Sequence, residues 1–208
     1  SGFFHMTTDE IFQILKADTT NIFGGLAIYN QLFESQKTVD ILNACGAMVF
    51  VTYQNNFLDS CILFISRMTD PITTGRNDNV SLKSLISKLP QDSASLAENM
   101  LAEMSSINKG ITKIRSKRIA HCDFEVRSGN LKLDSVEFNH IEDGLNSIAK
   151  TLNMYELHST DSSTLYSETI LPLASDGRYL LNRLKKSEAY IAIENSGGCE
   201  VNMWRDAF

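Results

Sequence analysis

From Thr38 to Met68 the chain runs without a proline, and its apolar residues recur at intervals of three and four. Val39, Leu42, Cys45, Val49, Tyr53, Phe57, Cys61, Phe64 and Met68 carry that stripe. A period near 3.6 over this length predicts one helix of around eight turns. Near Met48 to Phe50 apolar side chains cover much of its girth, which predicts a central, buried helix. Asp70-Pro71 stops it, because the residue before a proline disfavours helical backbone. With three prolines and eleven glycines in 208 residues, few irregular connections are expected. The fold class expected is all-α: a single-domain, elongated bundle of about six to eight helices.

The other segments read in the same way. Thr7-Thr8-Asp9-Glu10 has the S/T-x-x-E form of a capping box, so a helix is predicted to begin near Thr8, with Ile11, Ile14 and Leu15 on its apolar face. Gly24-Gly25 weakens its continuity, and the pattern resumes at Leu26, Tyr29, Leu32 and Phe33. Thr73 to Asn79 is a polar loop. Ser81 caps a short helix through Lys88, which Leu89-Pro90 ends. Ser95-x-x-Glu98 forms a second capping-box pattern. Phe124 to Leu133 alternates about Ser128-Gly129-Asn130, a hairpin signal. A helix restarts after Asp134, with Val136, Ile141, Leu145, Ile148 and Leu152 as its stripe. His140 and His158 are read as solvated. The last helix, about Asp176 to Ile193, carries Tyr179, Leu180, Leu184 and Tyr190.

One stretch breaks the pattern. Met100, Met104, Ile107, Ile111 and Ile114 make a seam spaced four, three, four and three, and its continuation by four and then three lands on Arg118 and His121. An Arg and a His on an apolar seam are the local inconsistency that marks functional sites. A core histidine bonded to a backbone carbonyl satisfies the same spacing. Lys109, Lys113, Arg115, Lys117 and Arg118 crowd ten positions of a chain whose formal net charge is −6. Basic residues also complement the carbonyl end of a helix, so spacing alone leaves both readings open. Arg67 and Asp70, three apart on one face, are placed to pair with each other.

Arg115, Ser116 and, after a short run, Ala120-His121 resemble the R-x(4–6)-H motif of the HEPN superfamily, and IRSKRIAH is similar to its AbiU2-like branch. A second stretch carries the same resemblance: Phe64-Ile65-Ser66-Arg67-Met68-Thr69-Asp70-Pro71, then Asn79-Val80-Ser81-Leu82 and Leu85. The two stretches lie between residues 40 and 125. The resemblance implies a HEPN-like helical domain over residues 6–195; Ser1 to His5, with no basic segment followed by an apolar one, reads as an expression scar before Met6, and 196–208 reads as a tail after Gly197-Gly198. The resemblance also implies a metal-independent endoribonuclease of a toxin–antitoxin or abortive-infection system, acting as a homodimer on RNA without cofactor. A separate, nucleotidyltransferase-like antitoxin is an expected partner. Arg115, Ser116 and His121 are the catalytic set, Lys113, Lys117 and Arg118 contact RNA, and Arg67 and Asp70 support them. Serine stands at 116 where such proteins usually carry Asn, Asp or His, which weakens the case for strong catalysis. A non-catalytic module of the same fold, binding RNA or protein, is the alternative.

Geometry adds a requirement. Residues six apart on a straight helix point about 120° apart, so Arg115 and His121 do not share a face. They converge if Arg115 reaches round, if the helix distorts near Ala120, or if a second copy completes the site. A histidine titrating near neutrality suits acid or base duty. An arginine suits a phosphate clamp through two parallel hydrogen bonds.

Other chemistries find no support. There is no P-loop, no H-E-x-x-H and no G-x-S-x-G. Glu98, Glu103, Glu137, Glu142 and Asp143 read as cap or solvent-face charges. Cys45, Cys61, Cys122 and Cys199 form no C-x-x-C pair, which fits reduced thiols in a cytoplasmic protein rather than a zinc site. His121-Cys122 does not make a thiol nucleophile pair, since adjacent helical residues point about 100° apart. An acidic balance excludes a broad duplex-DNA footprint but not one basic cleft. The most apolar run, Ala44 to Tyr53, is too short to span a bilayer, so no membrane partner is expected.

Overall fold

The structure is a computed structural model that describes residues 6–107, 111 and 137–196. The protein is all-α. Among the described residues the helices are α1 (Thr8–Phe33), α2 (Gln36–Met68), α3 (Leu82–Ser87), α4 (Ala94–Ile107), α5 (Phe138–Thr160) and α6 (Gly177–Asn195). Short 3-10 turns at Gln91–Ser93 and Tyr166–Glu168 join them. The hairpin predicted at Phe124 to Leu133 and the tail from Gly197 lie outside the described residues.

Helix α1 opens with the predicted capping box. Thr7 N–H donates to Glu10 Oε2 at 2.7 Å, and Glu10 N–H donates to Thr7 Oγ1 at 3.2 Å. Gly24-Gly25 does not interrupt it. The expected weak point is held because Phe23, Leu26 and Tyr29 on either side are buried, and tertiary packing outweighs helix propensity.

Helix α2 fills the predicted span but is not one straight helix. Gly46 leaves the helical region (φ 160°, ψ 65°) and kinks it. The expectation of a girth buried near Met48 to Phe50 is also corrected: Met48 is 76% exposed and Val49 68%. Past Pro71, two tiny strands, β1 (Thr73–Thr74) and β2 (Asn77–Asp78), pair antiparallel where a loop was predicted. Asn79 braces the hairpin, its amide donating to Pro71 O and to Thr74 Oγ1, each at 2.7 Å. Ser81 caps α3 as predicted, in a capping box with Ser84. Ser95 lies inside α4, whose start is set by the preceding 3-10 turn instead of a Ser95 cap.

The chain divides into two compact units, one from Ser1–Phe23 and Phe57–Thr169, the other from Gly24–Asn56 and Ile170–Phe208. In the first, Leu15, Ile65, Met68, Leu85, Met100, Leu145 and Leu152 are fully buried. Each such side chain contributes roughly 1.5–3 kcal/mol through burial. Phe12 packs on Tyr155 with ring centroids 4.8 Å apart, and Phe23 on Tyr166 at 5.9 Å. This core also holds a carboxylate: Glu156 is 5% exposed, paired to Lys16 and accepting from Thr164 Oγ1 at 2.8 Å.

In the second unit Leu32, Leu42 and Leu181 form the core, with Ile28, Phe33, Ile41, Phe50, Tyr53 and Leu184 packed around them. The inward face of α6 is therefore Gly177, Leu181 and Leu184. Tyr179, Leu180 and Tyr190 of the predicted stripe are 38–42% exposed. Asp176 caps α6 through Tyr179 N–H at 2.8 Å, and Gln31 Oε1 accepts from Gly177 N–H at 2.8 Å. A Cβ on Gly177 would stand 3.1 Å from the Ile28 carbonyl oxygen, a contact tight enough that the α1 backbone would have to give by a few tenths of an ångström. Among the described residues no helix is long and apolar enough to cross a membrane.

Candidate functional site

The described helix that precedes the candidate motif in the sequence is α4. Ala, Leu, Glu and Met dominate it, all good helix formers. The predicted seam is buried where it is described, at Met100 (0%) and Met104 (6%) of α4 and at Ile111 (2%) beyond its end. Ile111 is the last described residue before the motif, four positions ahead of Arg115. It packs toward α5 at Gly144: a Cβ built there would lie 3.7 Å from Ile111 Cδ1 and 3.0 Å from Ile65 Cδ1 of α2. Ile111 and Ile65, from the C-terminal part of α2, thus meet over one glycine of α5. Lys150 of α5 donates to Glu103 of α4 at 2.6 Å, which ties the same two helices together. Glu103 was read as a cap or solvent-face charge, and it is this ion-pair partner.

Arg67 stands two residues beyond Ile65. It does not pair with Asp70, as the spacing predicted. Its Nη2 donates to Asp18 Oδ2 of α1 at 2.6 Å. Asp70 N–H instead closes the end of α2 on the Arg67 carbonyl at 3.2 Å. The guanidinium also lies 5.9 Å from the Phe64 ring centroid, a cation–π distance. Both charges are partly solvated, with side chains 58% and 37% exposed, so the pair contributes about 0.2–1 kcal/mol at most. Four further N–H donors remain on the guanidinium, which keeps it able to hold an anion. Ser60, Leu63, Phe64 and Arg67 line a shallow open pocket of about 260 Å³ on this face of α2. Asp18 went unnoticed in the sequence because nothing local connects it to a residue 49 positions away.

Arg115, Ser116 and His121, together with Lys113, Lys117 and Arg118, lie outside the described residues, as do Lys109 and Cys122. Of the two described cysteines, Cys61 is fully buried and burial pushes its thiol up to about 12. Burial and then a hydrogen bond to Glu188 push Cys45 upward as well. Neither is a nucleophile at neutral pH. His140 is exposed as predicted, and so is His158, whose Nε2 lies 3.1 Å from Ser93 Oγ. Among the described residues no group of three His, Cys, Asp or Glu side chains is placed to hold a metal.

The family model for AbiU2, a HEPN family, matches residues 9–180. No curated protein and no solved structure matches the chain.

Proposed function

This chain belongs to the AbiU2 family of HEPN domains, associated with abortive infection, and on that premise we propose that it is a metal-independent endoribonuclease. The supporting observation is the extent of the match: residues 9–180 include both Arg115 and His121. In this reading His121 removes the 2′-hydroxyl proton of RNA and returns one to the leaving 5′-oxygen. Arg115 clamps a non-bridging phosphate oxygen and stays charged throughout. Ser116 orients the phosphate or the histidine, while Lys113, Lys117 and Arg118 supply positive field. Attack of the 2′-oxygen on the adjacent phosphorus expels the 5′-oxygen, leaving a 2′,3′-cyclic phosphate and a 5′-hydroxyl. A homodimer brings motif residues of two copies to one cleft, which answers the angular separation of Arg115 and His121. Arg67, on the α2 segment that meets Ile111 across Gly144, is a supporting cation.

Phage defence under the restraint of a separate antitoxin is the setting that goes with this activity. One feature favours a second reading, a non-catalytic module that binds RNA or protein: Ser116 lacks the hydrogen-bonding reach of Asn, Asp or His.

The deciding experiment is cleavage of a defined RNA in EDTA by wild type, Arg115→Ala and His121→Ala, with product ends mapped. The expected result is cutting that survives the chelator, leaves cyclic phosphate and falls about 100-fold or more in either variant. Unchanged cutting in both variants would sink the assignment. Intact RNA with the wild type, at concentrations where a dimer is demonstrated, would select the binding module.

A further inference from the structure

A pocket of about 280 Å³ lies in the first unit, where the start of α1, the β1–β2 hairpin and α3 come together. Met6, Ile11, Ile72 and Val80 form its apolar wall. Ile11 is buried, whereas Ile72 is 44% exposed, an aliphatic side chain left open to solvent beside the hairpin. Asp78 and Lys88 bring one charge of each sign to the same space.

Other polar groups around the pocket are already bonded. The Ser84 hydroxyl accepts from Ser81 N–H and donates to Ser81 O, each at 2.7 Å. The Asn79 amide is taken by Pro71 O and Thr74 Oγ1, and its backbone N–H donates to Ile72 O at 2.8 Å. Thr8 Oγ1 donates to the Lys88 carbonyl at 3.2 Å, which ties the start of α1 to the end of α3. Those bonds fix the walls. The Asp78 carboxylate and the Lys88 ammonium, by contrast, engage no partner among the described residues, and they do not pair with each other. The proposed cleavage gives this pocket no task, although Asn79 and Val80 belong to the second stretch singled out in the sequence.

We propose that this pocket binds a free α-amino acid with an aliphatic or thioether side chain. Two charges of opposite sign that stand apart in one small space are matched by a molecule carrying both charges itself. Asp78 holds the ligand's ammonium and Lys88 its carboxylate, through charge-assisted hydrogen bonds. The ligand's side chain lies on Met6, Ile11, Ile72 and Val80 and takes their exposed surface out of water. Pockets for drug-sized molecules usually hold about 300–1,000 Å³, so a slightly smaller space suits a single amino acid. A peptide end, a simple amine or a fatty acid brings only one of the two charges and leaves the other unmet. An occupant also joins three elements, and by binding the folded form it stabilises the first unit. This site goes beyond the ribonuclease reading and does not depend on it.

The test is calorimetric titration of the full-length protein with leucine, isoleucine, valine and methionine, with thermal melts in parallel. Glycine supplies both charges without the side chain. The N-acetyl derivative of the tightest binder lacks the ammonium, and its amide lacks the carboxylate. At least one of the four amino acids should bind one-to-one, at millimolar affinity or better, and raise Tm. Glycine and both derivatives should bind at least about tenfold more weakly. Asp78→Asn and Lys88→Gln should each lose about tenfold in affinity, while Lys83→Gln, an exposed lysine of α3 outside the pocket lining, binds as wild type does. All three positions are exposed, and equal helicity by circular dichroism shows that each variant is folded. No binding of any of the four, or undiminished binding by Asp78→Asn and Lys88→Gln, would overturn the proposal. A derivative that binds as tightly as its parent would overturn it too, because one of the two charges would then be idle.

Discussion

Ile65 Cδ1 stands 3.0 Å from the point that a Cβ would occupy on Gly144, so α2 and α5 meet there with no side chain between them. Ile65 is fully buried, which leaves its tip little room to retreat. Gly144→Ala gains about 1 kcal/mol of helix propensity but overpacks the contact at about 1–3 kcal/mol. The expected net loss is about 1 kcal/mol, rising to roughly 2–4 kcal/mol for the β-branched Gly144→Val. Urea midpoints at unchanged slope measure both. A more stable Gly144→Ala would mean that Ile65 swings aside and the packing here is loose. On the proposed ribonuclease reading, and because Ile111 rests on the same glycine, RNA cleavage by Gly144→Val should fall by more than its folded fraction does.

Glu156 is a buried carboxylate whose charge is met by Lys16 and by the Thr164 hydroxyl. Lys16 is only 30% exposed, so deleting its ammonium strands the carboxylate in the core. Breaking a buried pair costs about 3–5 kcal/mol, and partial solvation of the lysine lowers this to about 2–3 kcal/mol for Lys16→Met. Adding Glu156→Gln to that variant should recover more than half of the loss. A double-mutant cycle with no coupling would show that the pair contributes nothing to stability.

The seam that starts in α4 was legible because burial follows a local period: Met100, Met104 and, beyond the helix end, Ile111 are inside where the four-and-three spacing puts them. The caps at Thr7 and Ser81 were legible for the same reason, each being completed within three residues. What failed needed distant information. Gly24-Gly25 stays helical because buried neighbours hold it, whereas Gly46, which carried no warning in an uninterrupted apolar pattern, is the glycine that breaks its helix. Met48 and Val49 were apolar enough to expect burial, yet no element of the described chain covers them. Arg67 had a suitable acid three residues away and took one 49 residues away. On α6 the apolar residues are frequent enough to fit two phases, and contact with Leu32 and Leu42 selects Leu181 and Leu184.

Alkaline stability should report on Cys61. Burial raises its thiol from an ordinary 9.0 to about 12. Between those values the unfolded chain gives up a proton that the folded chain keeps, so fewer protons are bound in the unfolded state and stability falls as pH rises. The contribution is complete below pH 9 and is lost as pH climbs toward 12. Cys61→Ala lowers stability at every pH by leaving a small cavity, but its decline above pH 9 should be shallower than that of the wild type. Parallel curves would mean that the thiol ionises in place. In the native protein at pH 8, alkylation of Cys61 should be at least about 100-fold slower than in urea.

Tyr166 gives the converse case, a polar group that the core would do better without. The residue is 4% exposed, and its hydroxyl meets no partner in hydrogen-bonding geometry among the described residues. Burial first, and then the Glu156 charge, push its phenol well above the ordinary tyrosine value. Thr164 pulls slightly the other way, but its own proton is given to Glu156 at 2.8 Å. An unsatisfied buried hydroxyl costs about 1–3 kcal/mol, whereas the ring, packed on Phe23, is unaffected by its removal. Tyr166→Phe is therefore expected to stabilise the protein by about 1 kcal/mol, a rise of about 2–4 °C in Tm for a chain of this size. Above pH 10 its advantage should grow, because the wild type then also opposes ionisation of a phenol that the unfolded chain releases freely. A fall in Tm would show that the hydroxyl is satisfied after all, and that this corner of the core is built around it.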